Sequence, residues 1–502
     1  MSGVSALELA HTVLDPGTFI RWDTEPLPVA GEHRAQAPGY LSDLAAARRK
    51  TGLDEAVITG EARLGGRRVA IVMSDFGFLA GSIGVVAAER LVLAIERATR
   101  RRLPLIAAPA SGGTRMQEGT LAFLQMVKIS AAVTAHKAAG LPYLVYLRNP
   151  TTGGVLASWG SLGHVTAAEP GALLGFLGPR VFRALYQRDF PAGVQTAENF
   201  AARGLVDAVV SPGALREVAI SALAVLAAPR EAPPPVPDVP DEPPSSEPAW
   251  ESVGRSRRPD RPGLRALLKT AANSVTPLRG TGEGEHEPGL LLALAKFGAA
   301  PCVVVGHDRR HPSRSLGPAG LRQARRGMRL AAELRLPLVT VIDTAGAELS
   351  REAEEGGLAG EIARCLAQLT ALPAPTVCLL LGEGGGGTAL ALFPADRVVC
   401  AEHAWLSPLP PEGSSAIMYR TTARAGEVAA AQGVRSVDLL RHGIADRVIA
   451  ERPDAADEPA AFLARTGRTL EHELAALLRC PPGALLPSRL TRYRRLGLPA
   501  EA

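Results

Sequence analysis

An internal repeat constrains the fold of this 502-residue sequence more than any other feature. The stretch RLPLIAAPA that begins at Arg102 matches the stretch RLPLVTVID that begins at Arg335, which lies 233 residues later. The same separation relates Glu169 to Glu402, together with several Pro and Gly residues. A constant separation, held without a gap over about 65 residues, indicates a tandem duplication. We therefore expect two related units, one in each half of the chain.

A proline-rich, acidic stretch separates the two halves. Residues 229–248 read PREAPPPVPDVPDEPPSSEP and contain hardly any apolar side chain. Such a composition cannot bury a core, and it is typical of an extended linker that proteases cut readily. The predicted organisation is an N-terminal domain at 1–228, a linker and connection at 229–262, and a C-terminal domain at 263–502.

Both halves have the sequence pattern of an α/β domain. In each half a short apolar strand runs into a glycine-containing loop, as in LIAAPA-SGGTR from Leu105 and VTVID-TAGAE from Val339. A helical stretch with apolar spacings near three and four follows, and then a second strand and a second glycine cluster. Strands that are separated by a helix pair in parallel, so the sequence predicts a mostly parallel sheet in each half.

The glycine clusters that follow these strands are the strongest candidates for a functional site. Ligands bind at the carboxyl edge of open α/β sheets, and glycine lets the backbone approach a ligand closely. Two such loops that meet can direct backbone N–H groups at a developing negative charge, which makes an oxyanion hole. No Walker A pattern occurs in the sequence. Ser111 is interpreted as a support for its turn, and His307 and His403 as structural histidines.

Composition and charge disfavour several other classes of function. Apolar residues make up 46% and charged residues 21%, which is typical of soluble globular proteins. The net charge is +5, but the sequence has few aromatics and no basic run interleaved with them, so nucleic-acid binding is disfavoured. The apolar runs are too short for a membrane span and no signal peptide is recognised, so we expect a cytoplasmic protein. The five cysteines form no C-x-x-C pair and are interpreted as small buried residues.

Longer motifs extend these patterns and carry a resemblance to a known family. In the N-terminal half they are DFGFLAGSIG at Asp75, SGGTRMQEGT at Ser111, NPTTGGVLAS at Asn149 and EPGALLGFLGPRV at Glu169. In the C-terminal half they are VVVGHDR at Val303, VIDTAGAE at Val341, AEEGGLAGEIA at Ala353 and LLGEGGGGTALAL at Leu380. The first set resembles the beta subunit of the carboxyltransferase component of acetyl-CoA carboxylase, and the second is similar to the alpha subunit. The resemblance implies a fused chain whose fold class is α/β, a tandem duplication of a crotonase-type (ClpP/crotonase-like) domain.

Three departures from the family pattern bear on zinc and on the C-terminal loops. The four-cysteine zinc ribbon that commonly begins the beta subunit is missing from this sequence, so we expect no zinc. The usual P-G-A-Y-P of the alpha subunit is replaced by Ala345-Gly346-Ala347-Glu348-Leu349. The usual G-G-S-G-G is replaced by Gly384-Gly385-Gly386-Gly387-Thr388.

The resemblance implies that the chain transfers a carboxyl group from carboxybiotin to acetyl-CoA and forms malonyl-CoA through an enolate. Backbone oxyanion holes would hold the enolate and the ureido oxygen of biotin. The released biotin anion could take the α-proton, so no side-chain base is required. The candidate catalytic residues are Gly112, Gly113, Gly153 and Gly154 for the acyl-CoA hole, and Gly346, Ala347, Gly386 and Gly387 for the biotin-side hole.

Three arginines are candidates for binding the substrate. Arg115 is a candidate for positioning near CoA, with a structural ion pair as an equal alternative. Arg322 and Arg326 lie four residues apart on one predicted helix face, where they could bind phosphate or form a solvated face.

Carboxybiotin is expected on a separate protein. The sequence has no A-M-K-M biotinylation motif and no ATP-binding signature, so we expect a biotin carboxyl carrier protein and a biotin carboxylase as partners. The chain itself is expected to form a homodimer, with a hexamer as the second option. Three functional alternatives remain open: carboxylation of another short acyl-CoA such as propionyl-CoA, a biotin-dependent decarboxylase, and a non-catalytic assembly subunit.

Overall fold

The computed structural model divides the chain into two compact units. The first comprises Met1–Ala227 with Gly282–Gly284, and the second comprises Ala228–Thr281 with Glu285–Ala502. The structure describes residues 4–23, 39–228, 234–237, 247–312, 314–481 and 483–498. A division into two units is what the sequence repeat predicts.

The sheet of the first unit is antiparallel at one edge and parallel through the rest. In chain order its strands, including one separate short pair, are β1 (Ile20–Arg21), β2 (Val57–Leu64), β3 (Arg67–Ser74), β4 (Leu105–Ala108), β5 (Tyr143–Leu147), β6 (Thr151–Thr152), β7 (Val165–Ala168), β8 (Leu174–Gly175) and β9 (Ala208–Val209). The spatial order is β1-β2-β3-β4-β5-β7-β9, and β6 pairs with β8. The pairings from β3 to β9 are parallel. Strands β4 and β5 are buried throughout, which requires continuous apolar runs such as LIAA and YLVYL.

The second unit has the same sheet topology. In chain order its strands are β10 (Ser274–Leu278), β11 (Leu290–Phe297), β12 (Ala300–His307), β13 (Ser315–Leu316), β14 (Leu338–Thr344), β15 (Gly346–Ala347), β16 (Thr376–Gly385), β17 (Arg397–Ala401), β18 (Trp405–Ser407) and β19 (Arg447–Ile449). The spatial order is β10-β11-β12-β14-β16-β17-β19, with β18 alongside the end of β16, and β13 pairs with β15. The pairings from β12 to β19 are parallel. The mostly parallel sheet predicted for each half is confirmed.

Strand pairing in the two units follows the sequence repeat. Leu105 of β4 lies opposite Tyr143 of β5. Leu338 of β14 lies opposite Thr376 of β16, so both partners are displaced by the 233 residues that separate the sequence repeats. The duplication therefore preserves the alignment of the two central strands.

Helices connect the parallel strands in both units. In the first unit they are α1 (Ala6–Val13), α2 (Tyr40–Thr51), α3 (Val85–Arg100), α4 (Gly119–Ala138), α5 (Gly153–Leu156), α6 (Pro179–Tyr186), α7 (Ala197–Ala202) and α8 (Pro212–Leu226). In the second they are α9 (Ala249–Ser256), α10 (Leu264–Ala271), α11 (Pro318–Leu334), α12 (Arg351–Glu355), α13 (Leu358–Thr370), α14 (Gly386–Ala391), α15 (Pro411–Tyr419), α16 (Ala425–Gln432), α17 (Ser436–Arg441), α18 (Pro459–Leu478) and α19 (Leu485–Arg495). No helix within the described ranges is long and apolar enough to cross a membrane.

The segment 229–262 contains a helix that belongs to the second unit. Residues 229–233 and 238–246, which make up most of the proline-rich stretch 229–248, lie outside the described residues. Helix α9 follows, and its apolar face packs in one cluster with side chains from the second unit: Ala249, Val253, Trp405, Ala429 and Val434. Burial of this face stabilises α9 against the unit that contains the second sheet.

Two core histidines should make the stability of the fold depend on pH. His136 and His307 are buried, and desolvation lowers the pKa of each to about 4. The unfolded chain therefore binds more protons than the folded chain between pH 6.5 and 4, and the free energy of unfolding should fall over this range as pH decreases. The loss should be on the order of 3 kcal/mol for each histidine.

Urea unfolding at pH 7 and pH 5 measures the part of this loss that falls above pH 5, about 2 kcal/mol for each histidine. We expect the His136→Leu variant to show a smaller difference between the two pH values than the unsubstituted protein. An unchanged difference would mean that His136 is not kept neutral by burial.

Candidate active site

Two glycine loops of the first unit meet beyond the carboxyl ends of neighbouring parallel strands. Residues 111–113 follow β4, and Gly153 and Gly154 begin α5 shortly after β5. Gly113 and Gly153 have φ values of +108° and +62°, which residues with side chains rarely adopt. A Cβ atom on Gly113 would lie 3.3 Å from the Cα atom of Gly153. The loops can lie this close together because both positions are glycine.

The hydroxyl group of Ser111 fixes the first loop. It accepts a hydrogen bond from the N–H of Gly113 at 3.0 Å and donates one to the carbonyl oxygen of Gly81 at 2.6 Å. The N–H of Gly112 donates to the carbonyl oxygen of Ala80 at 2.9 Å. The interpretation of Ser111 as a turn support is confirmed. The N–H groups of Gly112 and Gly113 are already used within the protein.

Gly154 carries an N–H group that is available to a ligand. The N–H of the preceding Gly153 donates to the carbonyl oxygen of Phe176 at 3.0 Å. The N–H of Gly154 makes no such bond within the part of the chain that the structure describes. A Cβ atom on Gly154 would lie 3.0 Å from Oγ1 of Thr114, so Gly154 lies directly beside the first loop.

Thr114 supplies a second available N–H group, which sequence reasoning missed. Its neighbours on both sides pair with Ile83: the N–H of Ile83 donates to the carbonyl oxygen of Gly113 at 2.9 Å, and the N–H of Arg115 donates to the carbonyl oxygen of Ile83 at 3.0 Å. The N–H groups of successive residues in an extended segment point to opposite sides, so that of Thr114 points away from Ile83. Only the pairing with Ile83, which the sequence does not show, identifies Thr114.

The second unit repeats this arrangement in its first loop. The N–H of Gly346 donates to Oγ1 of Thr344 at 3.1 Å, as the equivalent glycine does to a serine in the first unit. The N–H of Glu348 donates to the carbonyl oxygen of Leu316 at 3.1 Å. Ala347 therefore occupies the position of Thr114, with its N–H directed away from the neighbouring strand.

The second loop of this unit also matches its counterpart. Gly386 begins α14 with a φ of +66°. A Cβ atom on it would lie 3.8 Å from the Cα atom of Gly346 and 4.0 Å from the backbone nitrogen of Ala347. The N–H of Gly387 makes no hydrogen bond within the described residues. The structure thus brings together all four predicted residues of the second unit, and leaves the N–H groups of Ala347 and Gly387 available.

Two neighbouring N–H groups in each unit suit the stabilisation of an oxyanion. Backbone dipoles that are fixed before a reaction can hold a developing negative charge without reorganising. A thioester oxygen that becomes an enolate oxygen gains such a charge, and so does a ureido oxygen when its carboxyl group leaves. The geometry therefore supports the chemistry that the sequence predicts, with Thr114 as an added donor.

Arg115 lies in a buried network of charged and hydrogen-bonded side chains. Its side chain is fully buried, and its Nη1 atom lies 3.0 Å from Oε2 of Glu55 and 3.2 Å from the hydroxyl oxygen of Tyr40. Its Nη2 atom donates to the carbonyl oxygen of Ser82 at 2.7 Å. Of the two interpretations of Arg115, these contacts favour the structural ion pair.

Substitution of Arg115 should therefore affect stability more than substrate binding. The Arg115→Met variant leaves Glu55 without its partner, and breaking a buried pair typically costs about 3–5 kcal/mol. Urea unfolding measures this loss, and the matched control is Arg183→Met, whose ion pair with Asp189 is exposed and should be worth less than about 1 kcal/mol. We expect the KM for acyl-CoA to stay close to its original value in folded Arg115→Met. A large rise in this KM, with stability retained, would instead assign Arg115 to CoA.

The two predicted phosphate-binding arginines of α11 have protein partners. Arg322 contacts Glu361 at 3.0 Å and Glu285 at 2.6 Å, and donates to the carbonyl oxygen of Gly356 at 2.6 Å. Arg326 donates to the carbonyl oxygens of Arg279 and Gly280 at 2.8 and 3.1 Å. These contacts tie α11 to neighbouring segments of the second unit.

The departures from the family motifs leave the loop geometry intact. A Cβ atom on Gly385 would lie 2.4 Å from the carbonyl oxygen of Ala345, so glycine at 385 is required for the two loops to meet. Glu348 accepts a hydrogen bond from Ser350 Oγ at 2.9 Å, and Leu349 is 89% exposed. Glu348 and Leu349 therefore change the surface beside the loops, whereas Thr388 is buried, and the two loops still meet as they do in the first unit.

The cysteines are free thiols, and four of the five are buried. Desolvation raises the pKa of the Cys365 and Cys378 thiols to about 12, which keeps them protonated and unreactive at neutral pH. Among the described residues, no group of three or more His, Cys, Asp or Glu side chains is placed to hold a metal ion.

Comparisons with known proteins agree with this geometry. A family model described as acetyl co-enzyme A carboxylase carboxyltransferase-like matches residues 245–497. A probable biotin-dependent acyl-coenzyme A carboxylase beta3 subunit from Mycobacterium bovis is 58% identical, over the full length of both chains. The acetyl-coenzyme A carboxylase carboxyl transferase subunits beta/alpha of Salinispora tropica are 41% identical, over 97% of this chain and 89% of that protein.

Solved structures support the fold. Transcarboxylase 12S, crystallised with methylmalonyl-coenzyme A and described as a hexamer assembly, matches with a TM-score of 0.72 at 20% identity over 94% of this chain and 89% of its own. A single-chain, multi-domain long-chain acyl-CoA carboxylase matches with a TM-score of 0.68 at 18% identity, over 93% of this chain and 46% of its own. The predicted crotonase-type, two-domain α/β fold is confirmed. The full-length similarity and the paired glycine loops establish that this chain belongs to the biotin-dependent acyl-CoA carboxyltransferase family.

Proposed function

We propose that this chain transfers a carboxyl group from carboxybiotin on a carrier protein to acetyl-CoA and forms malonyl-CoA. The observation that carries the proposal is the matched pair of N–H sites, Thr114 with Gly154 and Ala347 with Gly387. The reaction needs two oxyanion sites, because charge develops on the thioester oxygen of one substrate and on the ureido oxygen of the other.

The first unit holds the thioester oxygen and the second holds the ureido oxygen. The bond between the biotin nitrogen and its carboxyl group breaks, which releases carbon dioxide and leaves a negative charge on the ureido group. That group takes the α-proton of acetyl-CoA, and the enolate carbon then forms a bond with carbon dioxide. Each available N–H group should contribute about 100- to 1000-fold to the rate.

The choice of acetyl-CoA rests on the Salinispora relative, whose name specifies it. The more similar mycobacterial relative is named only for acyl-CoA. Carboxylation of another short acyl-CoA, such as propionyl-CoA, is therefore the second candidate function.

We also propose the partners that this reaction requires. A separate biotin carboxyl carrier protein presents carboxybiotin, and a biotin carboxylase loads it. The chain assembles as a homodimer, and the transcarboxylase hexamer makes a hexamer the second candidate. Light scattering that detects only a monomer would contradict both assemblies.

The reverse reaction tests the proposed function. Purified chain is incubated with malonyl-CoA and a free biotin derivative, and the formation of acetyl-CoA is followed. A parallel reaction with methylmalonyl-CoA reports the alternative substrate. Biotin-dependent turnover of malonyl-CoA supports the proposal, and faster turnover of methylmalonyl-CoA supports the propionyl-CoA candidate. Failure with every short acyl-CoA would favour a non-catalytic assembly subunit.

A further inference from the structure

Arg314 occupies a backbone position that the first unit gives to glycine. Its φ is +49°, in the left-handed region that disfavours residues with a side chain, and the equivalent Gly81 has a φ of +62°. The two positions share a contact as well: the carbonyl oxygen of Arg314 accepts a hydrogen bond from Oγ1 of Thr344 at 2.9 Å, and that of Gly81 accepts one from Oγ of Ser111 at 2.6 Å. The two positions therefore share their backbone conformation and differ in the side chain, which only Arg314 carries.

The backbone of Arg314 holds the first glycine loop of the second unit. Its carbonyl oxygen also accepts a hydrogen bond from the N–H of Ala345 at 3.1 Å. Oγ1 of Thr344, which donates to the same carbonyl, in turn accepts from the N–H of Gly346. The segment that carries the available N–H of Ala347 is therefore bonded to Arg314.

The side chain of Arg314 forms an ion pair next to the second glycine loop, although its Nη2 and Nε atoms make no hydrogen bond within the described residues. Its Nη2 atom lies 2.7 Å from Oε1 of Glu383, which immediately precedes Gly384–Gly387, and 3.5 Å from Oδ1 of Asp343 at the end of β14. Glu383 and Asp343 are buried. Gly382, the residue of β16 before Glu383, lets the strand pass close to Asp343, because a Cβ atom at 382 would lie 2.5 Å from Oδ1 of Asp343.

The first unit has no counterpart of this charged contact. The positions equivalent to Arg314, Asp343 and Glu383 are occupied by Gly81, Ala110 and Pro150. Both units therefore have the paired glycine loops, but only the second unit has an arginine and two carboxylates at these positions beside its loops.

We infer that Arg314 is a positioning residue. Its backbone bonds to the first glycine loop and its ion pair with Glu383 beside the second loop, together called the clasp, set the relative placement of the Ala347 and Gly387 N–H groups. Its role in the reaction rests on the proposed function, in which this pair holds the ureido oxygen of biotin. A misplacement of about 1 Å at a reacting centre can cost about 100-fold in rate. Removal of the clasp should therefore slow the biotin-dependent step and spare steps that use only the first unit.

The test compares Arg314→Gly with Arg257→Ala. Glycine accepts the left-handed backbone and removes only the side chain, so the variant should fold. Arg257 is the matched control, because its Nε atom lies 2.9 Å from Oε2 of the same Glu383 and no backbone bond links Arg257 to the first loop within the described residues. We expect Arg314→Gly to lower the kcat of biotin-dependent transfer by about 100-fold, and Arg257→Ala to lower it less than about 10-fold. Biotin-independent decarboxylation of malonyl-CoA and the KM for malonyl-CoA should stay near their original values in both variants, and Arg314→Lys should recover part of the lost rate.

Hydrogen–deuterium exchange gives a readout that does not depend on activity. In Arg314→Gly the peptides that cover 345–348 and 384–388 should exchange faster than in the unsubstituted protein, while the peptide that covers 111–115 should not change. If the unsubstituted chain shows no transfer, the proposed function fails and the exchange rates still test the clasp. Equal losses in Arg314→Gly and Arg257→Ala, loss of both reactions in Arg314→Gly, or unchanged exchange at both loops would overturn the inference. If Arg314→Gly does not fold, Arg314→Gln is measured by the same criteria.

Discussion

The Gly154→Val variant should lose carboxyl transfer and also lose biotin-independent decarboxylation of malonyl-CoA, each by at least about 100-fold. A Cβ atom at 154 would lie 3.0 Å from Oγ1 of Thr114 and 3.2 Å from Cγ of Met126. We expect a valine side chain, placed this close to Thr114, to obstruct the approach of an oxygen atom to the Thr114 and Gly154 N–H groups. Both reactions pass through the same enolate, so both should need this pair of donors.

Backbone strain does not explain the expected loss. Gly154 has no positive φ, in contrast to Gly153, so valine is not excluded by conformation alone. The matched control is Gly178→Val, since a Cβ atom at Gly178 would have no other atom within 4 Å. Circular dichroism and thermal melting must show that both variants fold. Decarboxylation that persists in folded Gly154→Val would show that the first unit does not hold the thioester oxygen.

The repeat and the strand pattern predict much of the fold from sequence. Matches that lie 233 residues apart in sequence reappear as matched strand register, because the apolar runs LIAA and YLVYL of the first unit correspond to the largely apolar runs LVTVI and TVCLLL of the second. Glycine after each strand predicts where the loops come close together, because only glycine tolerates a φ such as the +108° of Gly113.

The sequence predicts three of the four available donors, Gly154, Ala347 and Gly387, but it does not show which residues of a loop have a free N–H, because that depends on hydrogen-bond partners far away in sequence. Gly112 is adjacent to the site, but its N–H is used by the carbonyl oxygen of Ala80. Thr114 is not one of the glycines on which the prediction relied, and only its place opposite Ile83 identifies its N–H as a donor. Sequence spacing indicates where a loop lies, whereas the direction of each N–H depends on tertiary pairing.

The arginines show the same limit for charged side chains. The spacing of Arg322 and Arg326 correctly places both on one helix, but their partners come from other segments, such as Glu361 for Arg322. The sequence around Arg115 likewise does not indicate that its partner is Glu55, which lies 60 residues earlier. Burial together with a partner decides between a structural and a ligand-binding role, and neither can be inferred from local spacing.

The Gly387→Val variant should separate the two units by function. It should lose carboxyl transfer to and from biotin by at least about 100-fold and leave biotin-independent decarboxylation of malonyl-CoA near its original rate. A Cβ atom at 387 would lie 2.7 Å from Cδ1 of Ile362, which is the end of a flexible side chain and can move. The larger effect should be at the N–H pair of Ala347 and Gly387, where valine blocks the approach of the ureido oxygen.

The comparison of Gly387→Val with Gly154→Val makes the division of labour testable. Both glycines are the second residue of a short helix, so the substitutions alter equivalent places in the repeat. Steady-state rates of both reactions, measured on variants that melt cooperatively, give four values. The assignment requires Gly154→Val to lose both reactions and Gly387→Val to lose only the biotin-dependent one. Equal losses in the two variants, or the reverse pattern, would show that the thioester and ureido oxygens are not divided between the units in this way.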